Sequence, residues 1–201
     1  MEKVKTDTEI LYTEALRYLE GDSVFFSYEK GILYLKEAAD LGHAKAQYNL
    51  GIYLHQGIGI NQSYEQAYYY FKLAAEQGFP RAYYMLGCYC FFGFSFTPSE
   101  EHAAHYFQLA AKAGLADAQY DLGVLLLSGK GITKSEAQAV YYFRLAAEQG
   151  NADAQYNLGI CYYQGLGVVV SHEEAIRYLE LAVRQKQPKA AAALEFVMMN
   201  A

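Results

Sequence analysis

The chain of 201 residues contains no tryptophan, only three prolines and three cysteines, and no long uninterrupted apolar run. Its longest apolar stretch, from Met85 to Phe96, is broken by Gly87 and Gly93. A transmembrane helix needs about 20 consecutive apolar residues. The sequence therefore predicts no membrane insertion.

Basic residues are also few: the chain has 16 Lys and Arg and 22 Asp and Glu, and the basic residues are scattered singly along it. With a formal net charge of −6 and no basic stripe, the chain is not expected to bind nucleic acid. Cys88, Cys90 and Cys161 are odd in number and lack the spacing of a metal site or disulfide framework. We therefore expect no cofactor, no bound metal and a reducing compartment.

The amino terminus is polar, and no apolar segment of the kind found in secretory signals follows it. We therefore expect a cytoplasmic location. Delivery into a host cell without such a signal stays open as an alternative.

What the chain does contain is a repeat with a period of 36 residues, marked by two sets of glycines. One set is Gly42, Gly78, Gly114 and Gly150, and the other is Gly51, Gly87, Gly123 and Gly159. A period between about 20 and about 50 residues is typical of solenoids, whose units pack only on their neighbours.

Each unit has the pattern of two helices. Ala67, Tyr70, Phe71 and Ala74 form one apolar stripe at helical spacing, and equivalent stripes recur in later units. Five serines in phase are predicted to cap the second helices, each accepting from the amide three residues on: Ser27, Ser63, Ser99, Ser135 and Ser171. Gln66, Gln138 and Glu174 are predicted to complete capping boxes by reaching back to the serine amide. The first glycine set is predicted to end the second helices in the left-handed conformation.

The second glycine set falls inside the first helices, where glycine costs about 1 kcal/mol relative to alanine. Its recurrence indicates that neighbouring helices approach closely there.

The predicted fold class is all-α, a right-handed α-solenoid of about five 36-residue helix–turn–helix repeats followed by a C-terminal half-repeat helix. We expect a single domain over residues 1–201, with repeats at 7–42, 43–78, 79–114, 115–150 and 151–186 and a capping helix at 188–199.

The pattern Ala-Gln-Tyr-Asn-Leu-Gly, then Gly-x-Gly, then Ala-x-x-Tyr-Phe-x-x-Ala-Ala-x-x-Gly resembles the Sel-1-like repeat, a relative of the tetratricopeptide repeat. The resemblance covers the second to fifth units closely, from Ala46 to Lys186, and the first unit more loosely. It implies an α-solenoid that acts as an adaptor or scaffold for other proteins. Bacterial members act in signalling, in envelope assembly or after delivery into a host cell.

In such arrays the first helices line the concave face, and counting from the second glycine set predicts which side chains point inward. These are Tyr12, Tyr48, Ile52, His55, Gln56, Tyr84, Cys88, Phe91, Phe92, Tyr120, Val124, Leu127, Ser128, Tyr156, Ile160, Tyr163 and Gln164. A tyrosine in every repeat suits an apolar peptide or helix, with hydroxyls that fix its register. The alternative is that each tyrosine only packs against the neighbouring unit.

The third unit has Phe94 and Phe96 in its turn, where other units have Gly-x-Gly. These aromatic residues are candidate loop contacts for a partner, although they could also pack back over the helix ends. At the carboxyl end, four consecutive apolar residues from Phe196 to Met199 cannot all face inward. A weak homodimer through this helix is a further hypothesis.

No catalytic motif is present, and we expect no enzymatic activity. His102 and His105 are three residues apart on a helix but have no third ligand at a suitable spacing. The favoured function is a non-catalytic protein–protein interaction adaptor that binds a peptide, helix or protein. The alternatives are a regulator or inhibitor of an enzyme, a secreted bacterial effector, and a small metal-dependent hydrolase.

Overall fold

A computed structural model describes residues 2–20 and 26–200, with side chains from residue 7 onward. The chain divides into two compact units, Met1–Pro98 and Ser99–Ala201, which we call the amino-terminal and carboxy-terminal units. All the regular elements of the described residues are helices, which confirms the predicted all-α repeat class.

The amino-terminal unit contains five helices: α1 (Glu2–Glu20), α2 (Tyr28–Asp40), α3 (Ala44–Gln56), α4 (Tyr64–Glu76) and α5 (Pro80–Phe92). The carboxy-terminal unit contains six: α6 (Glu100–Lys112), α7 (Ala116–Ser128), α8 (Glu136–Glu148), α9 (Ala152–Gln164), α10 (His172–Arg184) and α11 (Ala190–Met199). Odd-numbered helices are the first helices of the repeats, and even-numbered helices are the second helices. Within each unit every helix packs on the next one along the chain.

Second helices begin at serine caps, as the sequence predicts. The Gln66 amide donates to Ser63 Oγ at 3.3 Å, and all five serines accept from the residue three positions on. The reciprocal half of the predicted capping box is wrong. The Ser63 amide donates instead to the Leu54 carbonyl at 2.9 Å, since the chain turns back onto the preceding helix. Ser27, Ser135 and Ser171 are bonded in the same way.

Glycine is required at the two sets of positions for different physical reasons. Gly78 has φ +78° and open space where a Cβ atom would lie, so this position needs glycine only for its left-handed backbone. Gly51 lies against the buried Phe71 of α4, where a Cβ atom would be 2.6 Å from the ring. Gly123 meets Phe143 at the same 2.6 Å distance, so the predicted close helix approach is confirmed within the hairpin.

The last helix begins later than predicted. Pro188 and Lys189 form a turn, and α11 begins at Ala190. Within α11 only Ala190 and Val197 are buried, while Phe196, Met198 and Met199 are 56%, 61% and 75% exposed. The expected outward-facing apolar residues are therefore present.

Candidate functional site

The predicted inward-facing residues share one side of the first helices. On α3, the side toward the second helices is filled by buried residues such as Leu50 and Leu54. Tyr48, Ile52 and His55 lie outside this core and are half-buried. We call this outer side of the first helices, taken in each unit separately, the first-helix face.

In the amino-terminal unit the first-helix face continues onto α1 and α5. Tyr12, Tyr84, Cys88 and Phe91 are half-buried, whereas Phe92 is 63% exposed. In the carboxy-terminal unit the equivalent residues are half-buried except for the exposed Val124: Tyr120, Leu127, Tyr156, Ile160 and Tyr163. Each unit therefore presents a row of large, partly accessible side chains.

The tyrosine hydroxyls on these faces fall into two kinds. Asn49 Nδ2 donates to the Tyr12 hydroxyl at 3.0 Å, which joins the first helices of consecutive repeats. Burial raises the pKa of Tyr120, and Asn157, at the position equivalent to Asn49, acts on it in the opposite direction. The Tyr12 hydroxyl is thus held by the repeat itself, and Tyr120 has an amide at the corresponding position.

Tyr48 and Tyr156 differ, because the positions equivalent to Asn49 hold Met85 and Ala193. Among the described residues, none is hydrogen-bonded to the hydroxyl of either tyrosine in this structure. The Tyr48 ring packs against Phe79 and Phe71, with centroids 5.1 and 5.9 Å away. Its apolar body is therefore anchored while its polar end keeps hydrogen-bonding capacity.

His55 takes part in an aromatic cluster that the sequence did not reveal. Its Nδ1 lies 2.9 Å from the hydroxyl of Tyr89, a fully buried residue of α5. The rings of Tyr64 and Phe94 pack beside it, with centroids 5.3 and 5.2 Å from the imidazole. Burial lowers the pKa of His55 and raises that of Tyr89, because the cluster disfavours the charged form of each group.

The aromatic turn of the third repeat folds back toward α4. Phe94 is half-buried in the cluster just described, with its ring 5.1 Å from that of Tyr89. Phe96 packs on Tyr68 at 5.1 Å and remains 38% exposed. This placement favours packing over partner contact for Phe94, while Phe96 keeps an accessible edge.

Buried glutamines link the repeats in a pattern that the sequence analysis missed. Gln47, only 4% exposed, donates from Nε2 to the Ala39 carbonyl of the preceding second helix at 3.0 Å. Its Oε1 accepts from Gln77 Nε2 at 2.7 Å. Gln119 with Gln149 and Gln155 with Gln185 repeat this arrangement. The third repeat has Tyr83 and Ala113 instead, and this paired replacement was a signal available in the sequence.

A second set of polar links joins each of several first helices to the residues just before the next first helix. His43 Nε2 lies 2.9 Å from Glu9 Oε2, and the hydrogen bond to His43 lowers the pKa of that carboxyl group. Asn151 donates to Asp117 at 3.2 Å, and Gln187 donates to Asp153 at 3.3 Å. These contacts position the first-helix faces from one repeat to the next.

The histidines considered for a metal site are placed differently. His102 Nδ1 lies 2.9 Å from Ser99 Oγ at the start of α6, and His105 packs on Tyr106. Among the residues that the structure describes, no three His, Cys, Asp or Glu side chains are arranged to hold a metal ion. Within the same residues, no helix is long and apolar enough to cross a bilayer.

The serine caps, left-handed glycines and glycine-on-ring contacts recur in register, and they define a helical-hairpin repeat protein. The Sel1 repeat model matches residues 15–43, 44–79, 80–115, 116–151 and 152–186. The chain therefore belongs to the Sel1 repeat family.

Solved structures agree with this assignment. A protective antigen of uropathogenic Escherichia coli with an SLR fold is 27% identical, with a TM-score of 0.90 over 96% of this chain and 41% of its own. A Sel1 repeat protein from Oxalobacter formigenes is 32% identical, with a TM-score of 0.83 over 96% of this chain and 57% of its own. The chain thus spans less than two thirds of the length of either relative.

An immunity protein from Pseudomonas aeruginosa is 20% identical, with a TM-score of 0.56 over 94% of this chain and 75% of its own. At that identity the likeness concerns the fold alone. The comparison with curated proteins gives no significant match.

Proposed function

We propose that this chain is a non-catalytic adaptor that binds a peptide, a helix or a folded protein on its first-helix faces. Sel1 repeats are generally protein–protein interaction modules. The observation that carries the proposal is the row of half-buried, mostly apolar side chains in each unit. It includes two tyrosines, Tyr48 and Tyr156, with spare hydroxyls. Anchored aromatic residues with a free polar end are favoured in protein interfaces.

The first-helix faces favour partners with apolar side chains, because the faces combine apolar area with few charges. Tyr48, Ile52 and Cys88 in one unit and Tyr156, Ile160 and Tyr163 in the other offer contacts to apolar side chains. Hydroxyls between them can bond to the backbone of an extended or helical partner. Binding a partner on such a surface requires no catalytic nucleophile, general base or metal.

A matched pair of variants tests this proposal. Phe92→Ser alters a 63% exposed residue of the first-helix face, and Leu33→Ser alters a 66% exposed residue on α2. Both should keep the circular dichroism spectrum and melting temperature of the parent chain. Cross-linking capture followed by mass spectrometry should lose specific partners with Phe92→Ser and retain them with Leu33→Ser. Equal capture by both variants would refute the assignment of the face.

Self-association through α11 is a separate part of the proposal. Glu195 stands where the repeats have Gly51, Gly123 and Gly159, positions at which a Cβ atom would already lie within 2.8 Å of the facing side chain. The side chain of Glu195 therefore blocks the close packing that a second helix makes on a first helix. A dimer contact through α11 would instead use exposed residues such as Met198.

The area available on α11 limits the strength of such a dimer. A helix of 10 residues is about 15 Å long, and stable interfaces need about 800 Å² per partner. We therefore expect at most a weak homodimer, seen by sedimentation at high concentration and abolished by Met198→Glu. Unchanged association in that variant would exclude α11 as the contact.

A further inference from the structure

The first-helix face of the amino-terminal unit carries two exposed cations that the repeat does not use. Lys45 on α3 and Arg81 on α5 occupy equivalent positions, three residues before Tyr48 and Tyr84. Among the described residues, neither forms an ion pair within 4.0 Å. In a chain of formal net charge −6, two exposed cations at equivalent positions of consecutive repeats, both without such a pair, are an unusual local feature.

The residues equivalent to Lys45 and Arg81 in the carboxy-terminal unit are aspartates that form hydrogen bonds between repeats. Asp117 and Asp153 accept hydrogen bonds from Asn151 and Gln187, which lie just before the next first helices. The residue equivalent to these donors in the repeat after Lys45 is Phe79, which has no polar side chain and packs on Tyr48. Lys45 therefore does not make the hydrogen bond toward the next first helix that Asp117 and Asp153 make.

Arg81 and Cys88 both lie on α5, the first helix that follows α3 along the chain. Burial raises the pKa of Tyr48, the charge of Arg81 lowers it, and a thiolate at Cys88 would raise it. Of the acidic groups on α1, Glu9 bonds to His43, and the charge of Lys45 also lowers its pKa to a smaller extent. Burial raises the pKa of Tyr12 and Tyr53, and the charge of Glu20 adds to this effect. Neither carboxyl group is a cause of the Tyr48 shift, so the surroundings of Tyr48 are apolar with the cation Arg81 beside them.

We propose that this part of the face, formed by Tyr48, Met85 and Cys88, binds a peptide segment that alternates apolar and acidic residues. An apolar side chain would lie on these three residues, the Tyr48 hydroxyl would bond to the peptide backbone, and flanking carboxylates would pair with Lys45 and Arg81. Charge complementarity selects the partner, since a basic segment meets repulsion at both cations. This inference rests on the proposed adaptor function and specifies the partner of one unit.

Two matched arrays of short synthetic peptides test the inference on the full chain. One array combines Leu and Phe with Asp and Glu, and the other combines Leu and Phe with Lys and Arg. The best acidic peptide, measured by fluorescence anisotropy, should bind about tenfold more weakly to the double variant Lys45→Glu, Arg81→Glu. The loss should shrink at high salt, and the double variant should gain affinity for basic peptides. Lys36→Glu, an exposed cation of α2, makes the same charge change on another side and should have little effect.

Cys88 supplies a readout specific to the site. Cys90 and Cys161 are buried, and burial raises the pKa of both thiols, to about 11 for Cys161. The half-buried Cys88 should therefore react first with a thiol reagent. Bound acidic peptide should slow the modification of Cys88, as mapped by mass spectrometry, and leave that of the buried thiols unchanged.

Any of four results would overturn the inference: equal binding of acidic and basic peptides, binding of neither array, no effect of the double charge reversal, or unprotected Cys88. The adaptor function is decided separately, because the comparison of Phe92→Ser with Leu33→Ser uses cellular partners and does not involve the two cations.

Discussion

Replacing Gly123 with alanine should destabilise the protein although alanine is the better helix former. Propensity alone predicts a gain of about 1 kcal/mol. The added Cβ atom, however, would lie 2.6 Å from Phe143 Cε1 and 2.7 Å from Cδ1, and the ring is fully buried. Overpacking of a core typically costs about 1–3 kcal/mol, so after the propensity gain of about 1 kcal/mol we expect a net loss of up to about 2 kcal/mol. Gly123→Leu should cost about 3 kcal/mol or more or unfold the hairpin.

A double-mutant cycle with Phe143→Ala isolates the cause. Removing the ring costs about 3–5 kcal/mol by itself and opens the space beside α7. In that background Gly123→Ala should become stabilising, because only the propensity term remains. Urea denaturation followed by circular dichroism measures each corner of the cycle. A gain of about 1 kcal/mol from Gly123→Ala in the parent chain would refute the close-packing argument.

Three further predictions concern single positions. Lys186 has φ +60° at the position equivalent to Gly78, so Lys186→Gly should stabilise the chain by about 0.5–1 kcal/mol in urea denaturation. Burial lowers the pKa of His55, so between that pKa and about 6.5 the unfolded chain binds more protons than the folded one. Stability should therefore fall as the pH drops below about 6.5, and the fall in melting temperature should be smaller in His55→Gln. Gln119→Leu should cost about 1–3 kcal/mol, measured by urea denaturation, because it leaves the Ala111 carbonyl and Gln149 without their partner.

Each of these predictions has a matched control. Lys186→Ala should give no comparable gain, since alanine keeps the strained backbone. His105→Gln, at an exposed site, should leave the acid sensitivity in place. Gln138→Leu, at an exposed site of α8, should change stability little. Equal effects of a variant and its control would contradict the structural reason given for that position.

Features that depend on a few neighbouring residues could be predicted from the sequence. The cap at Ser63 needs only the amide three residues on, and the left-handed turn at Gly78 needs only a residue without a Cβ atom. The 36-residue period then extended these local assignments to every repeat. The close approach at Gly51 was also predictable, because glycine inside a helix has to be explained by packing.

Predictions that needed the path of the chain between helices were less successful. The serine amides bond to the preceding helix instead of to the residue three positions on, and α11 begins two residues late. Gln47 and Gln77 meet across the hairpin, and Tyr89 reaches His55 from the next repeat. These partners are 30 and 34 residues apart, and their contact depends on how the helices cross.

The sequence alone determined the repeat, its helices, their caps and the family, because these follow from local backbone chemistry copied at a constant interval. Only the tertiary structure decided how each tyrosine is used. Tyr12 and Tyr48 occupy equivalent positions, yet Asn49 holds the hydroxyl of Tyr12, whereas the residue equivalent to Asn49 in the next repeat is Met85, which has no such donor. A hydroxyl is available to a partner only if no neighbouring repeat has already bonded it, and that depends on contacts between helices far apart in the chain.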